Sequence, residues 1–139
     1  MFKKILIAYD GSEHARRAAR IAGDMARKQS QTELWLVVVM EPISQDLGAP
    51  YSDKLIIKRT HEGEGLLSDA RKIIGEDVKV NNELLFASPA ESIIEVAENR
   101  KCDLIIMGTR GLGSLRGLLL GSQSHKVISL AACPVLAVK

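Results

Sequence analysis

The sequence predicts an α/β fold: an open, five-stranded parallel sheet with helices on both faces. Three observations lead there. Five short β-rich apolar runs recur along the chain. Stretches whose apolar residues have helical spacing lie between them. The two kinds alternate strictly, β-α-β-α-β-α-β-α-β, and a right-handed crossover then returns each strand parallel to the last.

The first run, residues 3–9, contains Ile5-Leu6-Ile7-Ala8, an unbroken apolar string expected of a strand buried on both faces. A helix follows, with Ala15, Ala18, Ala19, Ala22, Met25 and Ala26 on one side and Arg16, Arg17, Arg20, Asp24, Arg27 and Lys28 elsewhere. The second run, 34–40, is again continuous. Residues 41–50 hold two prolines and a glycine and predict a loop. In 51–75, Leu66, Leu67, Ala70, Ile73 and Ile74 have helical spacing. Gly63 and Gly65 interrupt that pattern, at about 1 kcal/mol each relative to alanine.

The third run, 78–86, mixes Lys79, Asn81, Asn82 and Glu83 with apolar residues, as suits the edge of a sheet. Ser88-Pro89-Ala90-Glu91 has the form of a capping box, with proline at the first helical position. The helix it opens would bury Ala90, Ile93, Ile94 and Ala97. The fourth run is 103–107. A last helix should start near Ser122, use Ser124, Val127, Ile128 and Ala131 as its apolar side, and stop before Cys133-Pro134. Residues 135–138 form the fifth run.

A length of 139 residues fits one domain, 1–139. Apolar residues at 46% and charged residues at 26% match ordinary soluble proteins and exclude disorder, collagen and coiled coil as the main class. The longest apolar run, 34–40, falls far short of the roughly 20 residues a membrane-spanning helix needs. A net charge of +2 and an aromatic content of 4% give a weak pattern for nucleic-acid binding. Neither a membrane nor a nucleic acid is therefore expected as a partner. Cys102 and Cys133 form no CxxC pair and read as small buried thiols. With no export signal, the expected compartment is cytoplasmic.

In open parallel sheets, ligands bind beyond the carboxyl ends of the strands, where the winding reverses. Two such ends are unusual here. The first strand ends in Asp10-Gly11-Ser12, which reads either as a plain capping turn or as a turn that aims Asp10 at a ligand hydroxyl. The fourth strand runs into a tract with five glycines between 108 and 121. Such a tract lets backbone amides approach an anion, and Gly121-Ser122 opens a helix whose free N–H groups favour phosphate. Ser122 and Ser124 could add hydroxyl donors. From residue 104 to the last residue there is no Asp or Glu, but there are Arg110, Arg116, Lys126 and Lys139. GxGxxG after the first strand, GxxxxGK[ST], HExxH and GxSxG are all absent. No residue stands out as a general base, which favours a binding module over an enzyme. His14 and His125 fall in expected first helical turns, where capping suffices to explain them.

The chain resembles the universal stress protein family over essentially its whole length. Gly108, Gly111, Gly121 and Ser122 meet that family's G-x2-G-x9-G-[ST] signature, and Ile5–Ser12 and Cys133-Pro134-Val135-Leu136 are similar to its two ends. The resemblance implies a Rossmann-like fold of the adenine nucleotide alpha hydrolase-like kind, with strand order 3-2-1-4-5. It implies an ATP-binding stress-response switch or reservoir. AMP and ADP are related ligands, and Mg²⁺ or Mn²⁺ would be held through the phosphates. Gly108, Gly111, Gly121 and Ser122 would hold phosphates and ribose, with Thr109, Arg110, Gln123 and Ser124 beside them. Ala8, Tyr9 and Asp10 would line the adenosine end, Val38 or Val39 would offer backbone groups to adenine, and Met107 apolar contact. A homodimer through 135–138 is implied as well. The alternative readings are a slow ATPase or phosphotransferase, or a nucleotide-free signalling module acting through protein contacts.

Overall fold

The computed structural model describes residues 1–44, 46, 48–110 and 120–139. The elements are β1 (Lys4–Ala8), α1 (Glu13–Lys28), β2 (Glu33–Met40), α2 (Tyr51–Ile74), β3 (Val80–Phe86), α3 (Pro89–Asn99), β4 (Leu104–Gly108), α4 (Ser122–Leu130) and β5 (Val135–Val138). The strands form one parallel sheet in the order β3-β2-β1-β4-β5. This is the expected α/β fold class and strand order. The polar third run lies at an edge, as its composition requires, and β5 forms the other edge.

β1 is central, with Leu6 in register between Trp35 and Ile105. Ile5, Leu6 and Ile7 have no solvent exposure, and their alternation supplies two apolar layers. Ile5 and Ile7 join Leu34, Leu36, the alanine side of α1, and Ala70 and Ile74 of α2. Leu6 joins Val37, Ile105 and Met107 against Ile93 and Val96 of α3 and Val127 of α4.

The small residues of α1 set how closely the helices approach. Ser12 caps α1, its Oγ accepting from the Ala15 N–H at 3.2 Å. Gly23 faces the last turn of α2, and a Cβ there would stand 2.5 Å from the Ile74 carbonyl oxygen. The same carbonyl accepts from the Arg27 guanidinium, which also pairs with Asp77 at 2.8 Å.

Three local expectations are corrected. Gly63 and Gly65 do not interrupt α2, which runs unbroken from Tyr51 to Ile74, with Gly63 buried beneath Leu84. Packing against the sheet outweighs their poor helix propensity. The capping box of α3 does not form: Ser88 is the N-cap residue but makes no side-chain cap bond. Glu91 turns instead to Lys126 of α4, and Gln123 Oε1 accepts from the Ala90 N–H at 3.0 Å. A neighbouring helix thus supplies the cap that local spacing assigned to Ser88. Finally, Ile128 of α4 is 43% exposed, and Ser124 and Val127 carry the buried side.

Tyr9 ties the sheet to α2. It is only 3% exposed, and its hydroxyl donates to Asp69, which also pairs with Arg16 at 2.6 Å. Burial first, and then Asp69, push its phenol up to about 12. An unfolded tyrosine ionises near pH 10. The group's contribution is therefore complete below about pH 10 and is lost as pH rises towards about 12. Tyr9→Phe is expected to cost about 1 kcal/mol at neutral pH. In urea titrations the gap between wild type and variant should narrow between about pH 10 and about pH 12. A gap independent of pH would contradict this role.

Candidate functional site

A cavity of about 380 Å³ opens beyond the carboxyl ends of β1, β2 and β4, between the first turns of α3 and α4. Each wall follows from the topology. β1 and β4 are neighbours whose crossovers leave in opposite directions, so the sheet gapes between them. Ala8, Tyr9 and Asp10 form the side next to β1, and Met107, Gly108 and Arg110 the side next to β4. Val37, Val39 and Glu41 close the β2 side, with Pro89 and Ile93 of α3 opposite. Gly121, Ser122, Gln123 and Ser124 present the start of α4.

A dense set of bonds holds the rim. Asp10 Oδ1 accepts from the Ser12 N–H at 3.0 Å, which fixes the turn after β1. Ser12 Oγ donates to the Arg110 carbonyl at 3.3 Å, joining that turn to the one after β4. Ser124 Oγ donates to the Gly108 carbonyl at 2.8 Å, and the Gly121 N–H to the Thr109 carbonyl at 2.6 Å. α4 has no side-chain cap, so the N–H groups of its first turn lack partners within the helix.

Gly108 has a packing reason of its own. A Cβ there would stand 2.7 Å from His14 Cβ and 2.9 Å from the Ala15 nitrogen, so the first turn of α1 rests directly on the end of β4. A 2.7 Å hydrogen bond joins His14 Nδ1 and Thr109 Oγ1 beside it. Burial, with Arg17 and Arg110 close by, holds His14 below the usual imidazole range.

The cavity brings together Ala8, Tyr9, Asp10, Val39, Met107, Gly108, Arg110, Gly121, Ser122, Gln123 and Ser124. Val38 is not among its lining residues; it belongs to the opposite apolar layer, with Val37 and Val39 flanking the cavity in its place. Thr109 also lies outside the lining, bonded to His14. Gly111 lies outside the described residues. The Tyr9 hydroxyl is held on Asp69, and the Ser124 hydroxyl on the backbone of β4. Sequence reasoning missed Pro89, Ile93, Ala15 and Val37, read only as helix or strand residues, and Glu41, read as loop. The signal was available: these residues lie in or beside strand ends next to the switch point.

An open parallel sheet with a cavity at its winding reversal defines an α/β protein of the doubly wound class. The chain belongs to the universal stress protein family, whose sequence profile matches residues 1–139. A universal stress protein of Thermus aquaticus is 43% identical over 139 residues, covering 100% of both chains. The solved structure of hypothetical protein MJ0577 superposes with a TM-score of 0.89 at 33% identity, covering 100% of this chain and 96% of that one. A universal stress protein from Archaeoglobus fulgidus, solved in complex with dAMP, superposes with a TM-score of 0.72 at 26% identity, covering 98% of this chain and 97% of that one.

Proposed function

We propose that this chain binds an adenine nucleotide, ATP in the first instance, and that occupancy rather than turnover is its output in a stress response. The observation that carries the reading is the uncapped start of α4, opening into a cavity that Arg110 also lines. Helix N–H groups that no side chain caps among the described residues, together with a guanidinium, suit phosphate. Ala8, Val39, Met107 and Ile93 offer the apolar surface a base requires. A cavity of about 380 Å³ lies within the usual small-molecule range of roughly 300–1,000 Å³. The dAMP complex of the Archaeoglobus fulgidus relative supports the adenine half of the assignment. A divalent cation would be carried on the phosphates and would neutralise their charge. Among the described residues, no group of three His, Cys, Asp or Glu side chains could hold one.

The direct test is calorimetry of purified protein with ATP, ADP and AMP, together with mass spectrometry of the small molecule released on denaturation. Saturable ATP binding at micromolar concentrations, or a retained adenine nucleotide, is expected. Absence of both would overturn the reading.

We also propose a homodimer through β5. That strand is a sheet edge, and Leu136 is 39% exposed on it. An apolar edge of this kind is covered when it pairs with a twofold copy. Light scattering should give the dimer mass for the wild type and the monomer mass for Leu136→Lys. A wild-type monomer would contradict the proposal.

A further inference from the structure

A second cavity, of about 360 Å³, lies at the other end of the sheet, where α3 runs into β4 and α4 into β5. Cys102 and Cys133 both line it, and neither is in a disulfide. The topology brings them together. Ile105 is in register with Val135 on the neighbouring strand. Cys102 precedes the one by three residues and Cys133 the other by two, so the thiols enter adjacent strands one step apart. Both pack into the same apolar layer, beneath α3 and α4. Burial pushes the Cys102 thiol up to about 11, and Cys133 is close enough to add to that shift. Burial raises the Cys133 thiol too. Both are therefore protonated at neutral pH, and capture of an acceptor by the pair must release both protons.

We propose that Cys102 and Cys133 form a bridging dithiol site for a neutral, soft electrophile of the trivalent arsenical class. Sulfur ligands select soft acceptors, and an uncharged acceptor reaches the two thiols without the cost of desolvating its own charge, in a cavity that Glu98, Lys101 and Asp103 also line. Ile94, Ala97, Ala131 and Pro134 supply apolar wall for its organic substituent. With an organic arsenoxide, two As–S bonds form and the arsenic–oxygen bond is lost. Both thiol protons leave on that oxygen as water. Arsenic stays trivalent, and neither sulfur is oxidised. The site is independent of the nucleotide reading, since it shares no residue with the first cavity.

The test is titration of the full-length wild type with phenylarsine oxide, followed by intact mass and by counting the remaining free thiols. One adduct per chain is expected, with both thiols lost together. Excess dithiol should release the adduct, and excess monothiol should not. Cys102→Ala and Cys133→Ala should each weaken capture by about a hundredfold, the gain that the second, tethered contact provides. The wild-type stoichiometry decides the matter even if a variant fails to fold. No adduct, two adducts per chain, a free thiol left at saturation or release by monothiol would each overturn the proposal.

Discussion

Gly121→Asp is expected to lower ATP affinity by at least about a hundredfold while leaving the helical circular dichroism signal unchanged. The two halves of that expectation have the same physical origin. Gly121 is the N-cap of α4, with φ −68 and ψ 155, a conformation that aspartate adopts readily. A carboxylate there suits the helix, because it accepts from the free N–H groups and complements the dipole. Those are the groups assigned to the phosphates, so the new side chain satisfies them and repels the ligand. The fold is retained and the site is occupied from within. Calorimetry with ATP reads the outcome; an affinity equal to that of wild type would remove the start of α4 from the site.

Gly23→Val is expected to cost about 2–3 kcal/mol of stability, the upper part of the range for overpacking. Glycine within a helix is normally a weakness, and replacing it recovers a few tenths of a kcal/mol up to about 1 kcal/mol. Here the Cβ would meet the Ile74 carbonyl oxygen at 2.5 Å and its carbonyl carbon at 3.2 Å. Backbone cannot swing aside as a side chain can, so α1 and α2 must separate along their crossing. That separation also weakens the hydrogen bond between Arg27 and the Ile74 carbonyl. Urea denaturation should place the midpoint well below that of wild type, with a similar slope. An unchanged midpoint would mean that the crossing gives way easily.

The layered fold was legible in the sequence because its signals are periodic. Unbroken apolar strings marked β1, β2 and β4, and the alanine stripe marked the inner side of α1. The ends of the elements were harder wherever a distant residue decides the local chemistry. Ser88 and Glu91 had the right spacing for a reciprocal cap, but Gln123 of α4 accepts from the Ala90 N–H and Lys126 of α4 pairs with Glu91 instead. Spacing along one segment carries no information about such partners. The candidate site was half legible for the same reason. Gly108 and Gly121 stand at the strand and helix ends that the motif names, and Asp10 at the end of the first strand. Pro89, Ile93 and Glu41 line the cavity from α3 and from the residue after β2, segments that the motif does not name. Val38 illustrates the parity of a strand: one step along β2 moves a side chain from the cavity to the opposite layer.

The two borders of the sheet are unlike. β3 carries Asn81, Asn82 and Glu83 along the outside, whereas β5 is Val-Leu-Ala-Val throughout. A sheet with one sticky margin and one wet margin is self-limiting. In the dimer proposed above, two copies joined margin to margin through β5 would offer the next arrival β3 borders interrupted by Asn81, Asn82 and Glu83, which would disfavour growth into a ribbon.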